Sequence, residues 1–143
     1  MHSRIYNLTD KELNQDALYE ELKSWNRLAD YVVLQSDKDI KNDIEWIGEC
    51  FHLEYTDTTI NFSKEVADKY WENKFKKVKE IVENEGVNFE TIYPIVDELE
   101  DVYGMYVVSE EGVLPLSKFM QYIARGYIEP RIATVKQTFD YHF

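Results

Sequence analysis

The stretch "VNFETIYPIVDELEDVYGMYVVSEEG", Val87–Gly112, decides the fold class because it passes from a helix to a strand. Pro94 is tolerated only in the first turn of a helix, so a helix is predicted to begin near Thr91 and to stop at Gly104. The next residues, Met105–Ser109, have the β-branched composition of a buried strand, and "EEG" predicts a turn. The stretch therefore contributes one helix and one strand to the predicted fold.

The residues before this stretch predict the longest helix of the chain. Apolar residues recur at helical spacing between positions 66 and 82, with charged residues on the opposite face. Ser63 is a suitable N-cap and Gly86 a suitable terminator. We therefore predict a helix over 64–85.

The rest of the chain alternates between extended and helical patterns. We expect a strand at 2–7, a helix over about 10–28 with a capping box at Thr9–Glu12, a strand at 30–35, a helix capped by Ser36 or Asp37, a hairpin over 51–62 with its turn at Asp57 and Thr58, a short helix ending at Gly126, and a last strand or hairpin from Arg131. The sum predicts one globular domain, residues 1–143. Its class is α+β, with four to five helices packed on a small, mainly antiparallel β-sheet.

Composition and charge narrow the function classes. Aromatic residues make up 15% of the chain, which argues for a folded core. The only cysteine is Cys50, and no apolar signal segment or membrane-spanning run is present, so we expect a soluble, cytoplasmic protein. The net charge of −12 argues against direct binding to nucleic acid or to anionic membranes, because phosphates attract Lys and Arg.

The negative charge is concentrated in two segments. Residues 1–62 carry thirteen acids and six bases, and residues 87–112 carry seven acids and no base. Residues 63–86 are balanced, and residues 113–143 have a small positive excess. Two segments therefore carry all of the excess negative charge, which would either form a surface for a basic partner or only keep a structural or regulatory protein soluble.

Helix four concentrates acids at its C-terminal end. Its inward face is predicted to carry the apolar residues at helical spacing: Ile92, Val96, Leu99 and Val102 or Tyr103. Its free surface carries four acids: Asp97, Glu98, Glu100 and Asp101. Like charges one turn apart cost roughly 0.2–0.5 kcal/mol, and the helix dipole disfavours negative charge at this end. A cationic partner would relieve both effects, so we take this surface as a candidate binding site.

No catalytic or metal-binding motif is present. The chain lacks HExxH, CxxC, GxSxG, GxGxxG and P-loop patterns, so we predict no catalytic residues, no metal site and no cofactor. His52 and Glu54 would share one face of the predicted hairpin, with Asp57 at its turn, which leaves a small enzyme site as an alternative. Cys50 is expected to be a buried structural residue.

A binding role therefore predominates over an enzymatic one. We expect an acidic inhibitor or adaptor of a basic protein, in its sharpest form a nucleic-acid mimic that antagonises a CRISPR effector or restriction nuclease. An immunity protein against a nuclease toxin would use the same electrostatics. The predicted partner-binding residues are the acids of the quoted stretch: Glu90, Asp97, Glu98, Glu100, Asp101, Glu110 and Glu111.

Overall fold

The computed structural model describes all 143 residues, Met1–Phe143, as five helices and seven strands. In chain order the elements are β1 (His2–Asn7), α1 (Gln15–Leu22), β2 (Tyr31–Leu34), α2 (Asp37–Phe51), β3 (Thr59–Phe62), α3 (Lys64–Glu85), α4 (Ile92–Glu100), β4 (Tyr106–Ser109), β5 (Gly112–Pro115), α5 (Leu116–Ala124), β6 (Arg131–Thr134) and β7 (Gln137–His142). None of the five helices combines the length and the apolar character needed to cross a membrane.

The strands form a five-stranded sheet and a separate pair. The larger sheet has the order β2-β7-β1-β4-β5, and β3 pairs with β6. β1 and β4 are parallel neighbours, whereas all other pairs are antiparallel. The predicted α+β fold, with helices packed on a mainly antiparallel sheet, is confirmed.

Two apolar clusters lie on opposite faces of the larger sheet. Ile5 and Tyr6 are successive residues of β1, so their side chains point to opposite faces, and they belong to different clusters. Helix α1 covers the cluster of Ile5, whereas α2, α3 and α5 cover that of Tyr6. All four residues of β4 are buried, as expected for a strand covered on both faces. No residue of α4 belongs to either cluster.

Helix α3 confirms the clearest helix prediction. It spans Lys64–Glu85, with the Ser63 hydroxyl accepting a hydrogen bond from the amide of Val66. Gly86 ends the helix at φ 77°, a backbone conformation that glycine adopts readily. The predicted apolar face is only partly buried, because Phe75 is 59% exposed.

Helix α1 is shorter than predicted. The expected helix over about 10–28 runs only from Gln15 to Leu22, and the Asn14 side chain caps it. The Thr9 hydroxyl instead donates to the side chain of Asn7, at 2.7 Å. The predicted capping box is therefore wrong, since its threonine closes a turn after β1.

The hairpin predicted over 51–62 is shorter than expected, although its turn is at Asp57 and Thr58 as predicted. Helix α2 continues to Phe51 and ends at His52, whose φ is 55°. Tyr55 and Ile60 form an antiparallel bridge, the amide of Thr56 donates to the carbonyl of Thr59 at 3.0 Å, and the amide of Asn61 donates to the carbonyl of Glu54 at 2.9 Å. Strand β3 also pairs with β6, which is far away in sequence. The C-terminal tail forms no hairpin, because β6 and β7 belong to different sheets.

Gly48 of α2 is required by the ring of Tyr55. A Cβ atom at position 48 would lie 2.2 Å from Cδ1 of that ring, closer than non-bonded carbon atoms approach. The Tyr55 hydroxyl also donates to Glu49 Oε1 at 2.6 Å, which holds the ring in place and helps raise the pKa of Tyr55 to about 12. The loop after α2 is thus packed on the helix at a position without a side chain.

The change Gly48→Ala is expected to lower the free energy of unfolding by about 1–3 kcal/mol, because the added methyl group displaces the ring. In a Tyr55→Ala background the same change should stabilise the protein by up to about 1 kcal/mol, since alanine is the better helix former. Urea unfolding of the four proteins checks this reversal of sign. A loss of the same size in both backgrounds would show that the ring is not the cause.

Candidate protein-binding surface

Helix α4 has no buried residue. Of its predicted inward residues, Leu99 and Val102 are half-buried, but Ile92 and Val96 are exposed. Ile95 is half-buried in their place. The predicted inward face is therefore wrong in its N-terminal half, and the helix is rotated so that part of its apolar surface faces solvent.

Four side chains donate hydrogen bonds to backbone carbonyls at the C-terminal end of α4 and in the turn after it. They are Lys74 to Glu98 (2.7 Å), Ser117 to Glu100 (2.6 Å), Tyr106 to Val102, and Tyr141 to Gly104. The last carbonyls of a helix have no partner within the helix, so such donors replace water. Polar contacts at one end, more than apolar burial, hold α4 in place.

Lys74 of α3 supplies a cation to the acidic end of α4. Its side chain is buried, and Nζ lies 3.8 Å from Oδ2 of Asp101 and 5.1 Å from the ring centroid of Tyr70. Nζ of Lys77 lies 3.4 Å from Oε1 of Glu98. A positive charge near a helix C-terminus also interacts favourably with the partial negative charge of the helix dipole there. Two of the four acids, Glu98 and Asp101, are therefore paired within the chain.

Burial governs the titration of this pair. It lowers the pKa of Lys74 despite the attraction of Asp101. It raises the pKa of Asp101 above the ordinary 3.8 despite the attraction of Lys74. Desolvation disfavours the charged form of each group, so the free energy of removing the two charges from water offsets part of their mutual attraction.

We expect the stability of the wild-type protein, relative to Asp101→Asn, to rise as the pH falls toward 3.8. Between that value and its raised pKa, Asp101 binds a proton in the folded state that the unfolded chain lacks, so acid favours the folded wild type. Asn tolerates the left-handed backbone of position 101, where φ is 50°. Urea unfolding of both proteins between pH 7 and pH 4 provides the measurement. The expectation would be contradicted if the difference in unfolding free energy between the two proteins did not change with pH, or if it came to favour Asp101→Asn as the pH falls.

The outward side of α4 and of the loop before it is apolar. We call this surface the α4 ridge and define it by four residues: Phe89, Ile92, Tyr93 and Val96. Their relative exposures are 95%, 46%, 74% and 40%. Positions three and four apart lie on one side of a helix, so Val96 lies beside Ile92 and Tyr93, and Phe89 precedes them in the loop. Exposed apolar strips of this kind mark interaction sites on soluble proteins.

The loop that presents Phe89 is ordered by its own hydrogen bonds. The buried hydroxyl of Thr91 donates to the carbonyl of Gly86 at 2.8 Å and accepts from the amide of Asn88 at 3.0 Å. The Asn88 side chain accepts from the amide of Glu90 at 2.9 Å. The ridge is therefore organised before any partner arrives, which reduces the entropy lost on binding.

Unpaired acids border the ridge. Asp97 is one turn from Tyr93, and Glu100 is one turn from Val96, so both lie on the ridge side of the helix. Both are exposed, as is Glu90 in the preceding loop, and none of the three forms an ion pair within the chain. The surface is thus both apolar and negatively charged.

The remaining two predicted site residues lie elsewhere. Glu110 and Glu111 form the turn after β4, at the opposite end of that strand from α4, about 13 Å away at roughly 3.3 Å per residue. A 2.8 Å contact with Arg131 holds the pKa of Glu110 below its ordinary value. The structure therefore brings the acids of α4 together and separates them from those of the turn.

The alternative enzyme site is not assembled. His52 ends α2, Glu54 accepts a hydrogen bond from Asn61 at 3.2 Å, and Asp57 lies 3.7 Å from Lys41. The side chains of His52, Glu54 and Asp57 form no hydrogen bond or ion pair with one another, and His52 caps α2 instead of standing on a strand beside Glu54. No group of three or more His, Cys, Asp or Glu side chains is placed to hold a metal ion.

Cys50 lies on the outer side of α2 and is exposed, so the prediction of a buried cysteine is wrong. Ile44 and Ile47 occupy the buried side of the same helix.

The sequence reasoning found the acids of this surface but missed the apolar ridge. A signal was available, because the apolar residues between positions 89 and 102 are too numerous for one helix face. At 100° per residue, Ile95 and Leu99 point in one direction, whereas Tyr93 points in another. Only one of these directions can face the core.

Comparison with models of known protein families, with curated protein sequences and with solved structures finds no match to this chain.

Proposed function

We propose that this chain is an acidic protein-binding inhibitor or adaptor that docks its α4 ridge on a basic partner protein. The observation that carries the proposal is a helix with no buried residue, fixed through its C-terminal carbonyls, that turns an apolar strip and unpaired acids toward solvent. The acids would steer the encounter and the apolar side chains would hold the complex.

The partner is defined by the chemistry of the ridge. Residues three, four and seven positions apart are the anchors with which an amphipathic helix enters an apolar groove. Acids along the same side of the helix require Lys or Arg at the rim of that groove. A second copy of this chain fits poorly, because residues 87–112 carry seven acids and no base.

A nucleic-acid-binding effector is the partner class that we favour. Restriction nucleases, CRISPR effectors and nuclease toxins carry basic surfaces because their substrates are rich in phosphates. The ridge adds to this proposal an apolar contact that a nucleic-acid backbone does not offer. We therefore propose an antagonist that occupies a basic, partly apolar groove, using its acids in place of phosphates.

The test reverses the charge of the two acids of α4 that form no ion pair, Asp97 and Glu100. In Asp97→Lys/Glu100→Lys we expect capture of the partner from the native host's lysate to be lost at 0.05 M NaCl, because like charges would then face each other. Glu20→Lys/Glu21→Lys on α1 makes the same change in net charge at an exposed site away from the ridge and should leave capture intact.

Salt gives the second arm of this test. Screening shortens the range of charge interactions to about 3 Å at 1 M, so wild-type capture should weaken strongly between 0.05 M and 0.5 M NaCl. The captured protein should be a nuclease or another nucleic-acid-binding protein, and the wild-type chain should inhibit its activity. Equal capture by both reversal variants, or capture unchanged at 0.5 M NaCl, would contradict the proposal.

A further inference from the structure

A second surface feature is a cleft of about 840 Å³ between α3 and α5. Residues from the end of α4 and Trp25, from the segment after α1, complete its walls. Sites for small molecules commonly have volumes of about 300–1,000 Å³ and combine apolar walls with a few polar groups. The cleft is therefore large enough to hold a small organic molecule.

The α3 wall of this cleft is aromatic. Trp71 and Phe75 are one turn apart, with ring centroids separated by 5.4 Å, and Trp25 adds a third ring. The Trp71 indole donates its Nε1–H to the carbonyl of Ser117 at 3.2 Å, which fixes the ring. Flat aromatic bodies pack against such rings in stacked or edge-to-face arrangements. The wall therefore offers a preformed contact for a planar ligand.

The α5 wall of the cleft is basic. It carries Lys118, Gln121 and Arg125, whose spacing places them on one side of the helix. Lys118 is half-buried, and its Nζ lies 5.7 Å from the ring centroid of Tyr122. The Arg125 guanidinium lies 4.6 Å from the ring centroid of Tyr127. Both rings are neutral and neither cation has an ion pair, so two positive charges beside the cleft are uncompensated.

The acids that line the cleft do not neutralise these cations. Asp68 lies 2.8 Å from Lys64, and Glu72 lies 4.0 Å from Lys69, so both are paired with lysines of their own helix. Glu100 is unpaired, but it is one of the acids that border the ridge. Two uncompensated positive charges therefore stand against one negative charge, and the balance at the cleft favours an anion.

The N-terminal end of α5 adds to this balance. The helix begins at Leu116 without a side-chain cap, and Pro115 and Ser117 at this end line the cleft. Helix N-termini attract anions because the amide dipoles sum to a partial positive charge there. Residues 113–143, which include α5, carry four bases and two acids, unlike the acidic segments of the chain.

We propose that this cleft binds a small organic anion, in which one carboxylate group is carried on an aromatic body. The body lies against Trp71 and Phe75, and the carboxylate lies near Lys118. The Trp71 indole contacts the residue before Lys118, so the ring and the ammonium are at the same end of the cleft. The net charge of −12 favours one negative charge on the ligand over several. None of the four residues that define the α4 ridge lines the cleft, so this binding goes beyond the proposed docking.

Tryptophan fluorescence reports on the cleft directly in a Trp46→Phe background. Trp46 is outside the cleft, next to Arg4, so the two remaining tryptophans, Trp25 and Trp71, both line it. The probes are phenylacetate, phenylacetamide and phenethylammonium, which share a phenyl ring and are anionic, neutral and cationic at neutral pH. At constant ionic strength we expect a saturable change with phenylacetate and about tenfold weaker binding of phenylacetamide, which lacks the charge-assisted contact. Phenethylammonium should bind more weakly still.

Single changes identify the groups responsible. Lys118→Gln should weaken binding of phenylacetate about fivefold and leave phenylacetamide unaffected, because only the anion uses the ammonium. Lys38→Gln makes the same change in charge at an exposed site on α2 and should alter neither. Glu100→Gln removes a like charge and should tighten binding of phenylacetate. Phe75→Ala, at an exposed position, should weaken both probes together.

Circular dichroism confirms that each variant is folded. The proposal would be overturned by binding of phenethylammonium as tight as that of phenylacetate, or by the absence of a saturable change with any probe. Equal effects of Lys118→Gln and Lys38→Gln would also overturn it, since the ammonium beside the cleft would then make no specific contact.

Discussion

Replacement of Lys74 by Met is expected to lower the free energy of unfolding by about 2–4 kcal/mol, because it leaves the carbonyl of Glu98 without a donor and the half-buried carboxylate of Asp101 without its cation. The change removes the cation 3.8 Å from Asp101 and the donor 2.7 Å from the carbonyl of Glu98. Both groups lie at the end of α4 that polar contacts hold. Urea unfolding measures the loss.

Two further variants separate the causes of that loss. Lys77→Met removes a more exposed lysine that also contacts α4, and it should cost no more than about 1 kcal/mol. In an Asp101→Asn background, Lys74→Met should cost only about 1–3 kcal/mol, because the unsatisfied carbonyl remains but the unpaired carboxylate does not. If Lys74→Met were as mild as Lys77→Met, the buried lysine would not be the anchor of α4.

The double change Phe89→Ser/Tyr93→Ser is expected to weaken binding of the partner by about 1,000-fold. Aromatic anchors at the centre of an interface contribute about 2 kcal/mol or more each, and every 1.4 kcal/mol is a factor of ten. Folding should not suffer, because Phe89 and Tyr93 are 95% and 74% exposed. Titration of the captured partner by calorimetry gives the affinity, and thermal unfolding gives the stability.

The control for this change removes apolar surface elsewhere. Leu28 and Ile132 are 61% and 71% exposed and lie outside the ridge, so Leu28→Ser/Ile132→Ser should bind the partner like the wild type. If both double variants weaken binding equally, the loss reflects general surface hydrophobicity. If neither does, the ridge is not the contact surface.

Local signals were sufficient for the parts of the fold that local interactions determine. Helix α3 was predicted with its bounds because its periodicity, the Ser63 cap and Gly86 all lie in one continuous segment. The segment 51–62 was predicted only in part, because its first residue belongs to α2 and short alternation does not reveal that β3 will also pair with the distant strand β6.

The orientation of α4 could not be read from its own sequence. The carbonyls at its C-terminal end and in the turn after it are held by side chains from two helices and two strands: Lys74, Ser117, Tyr106 and Tyr141. The acids at its C-terminal end suggested a missing cation, and for Glu98 and Asp101 that cation is in the chain itself. For Asp97 and Glu100 no internal partner exists, so the prediction of an external one applies to a smaller and better-defined surface.

Amide hydrogen exchange of the chain, free and bound to the protein that it captures, tests the central proposal most directly. The proposal predicts slower exchange on binding across residues 88–103, with little change in α1 and α2. Protection confined to other elements, with residues 88–103 exchanging as in the free chain, would contradict the assignment of the α4 ridge as the docking surface.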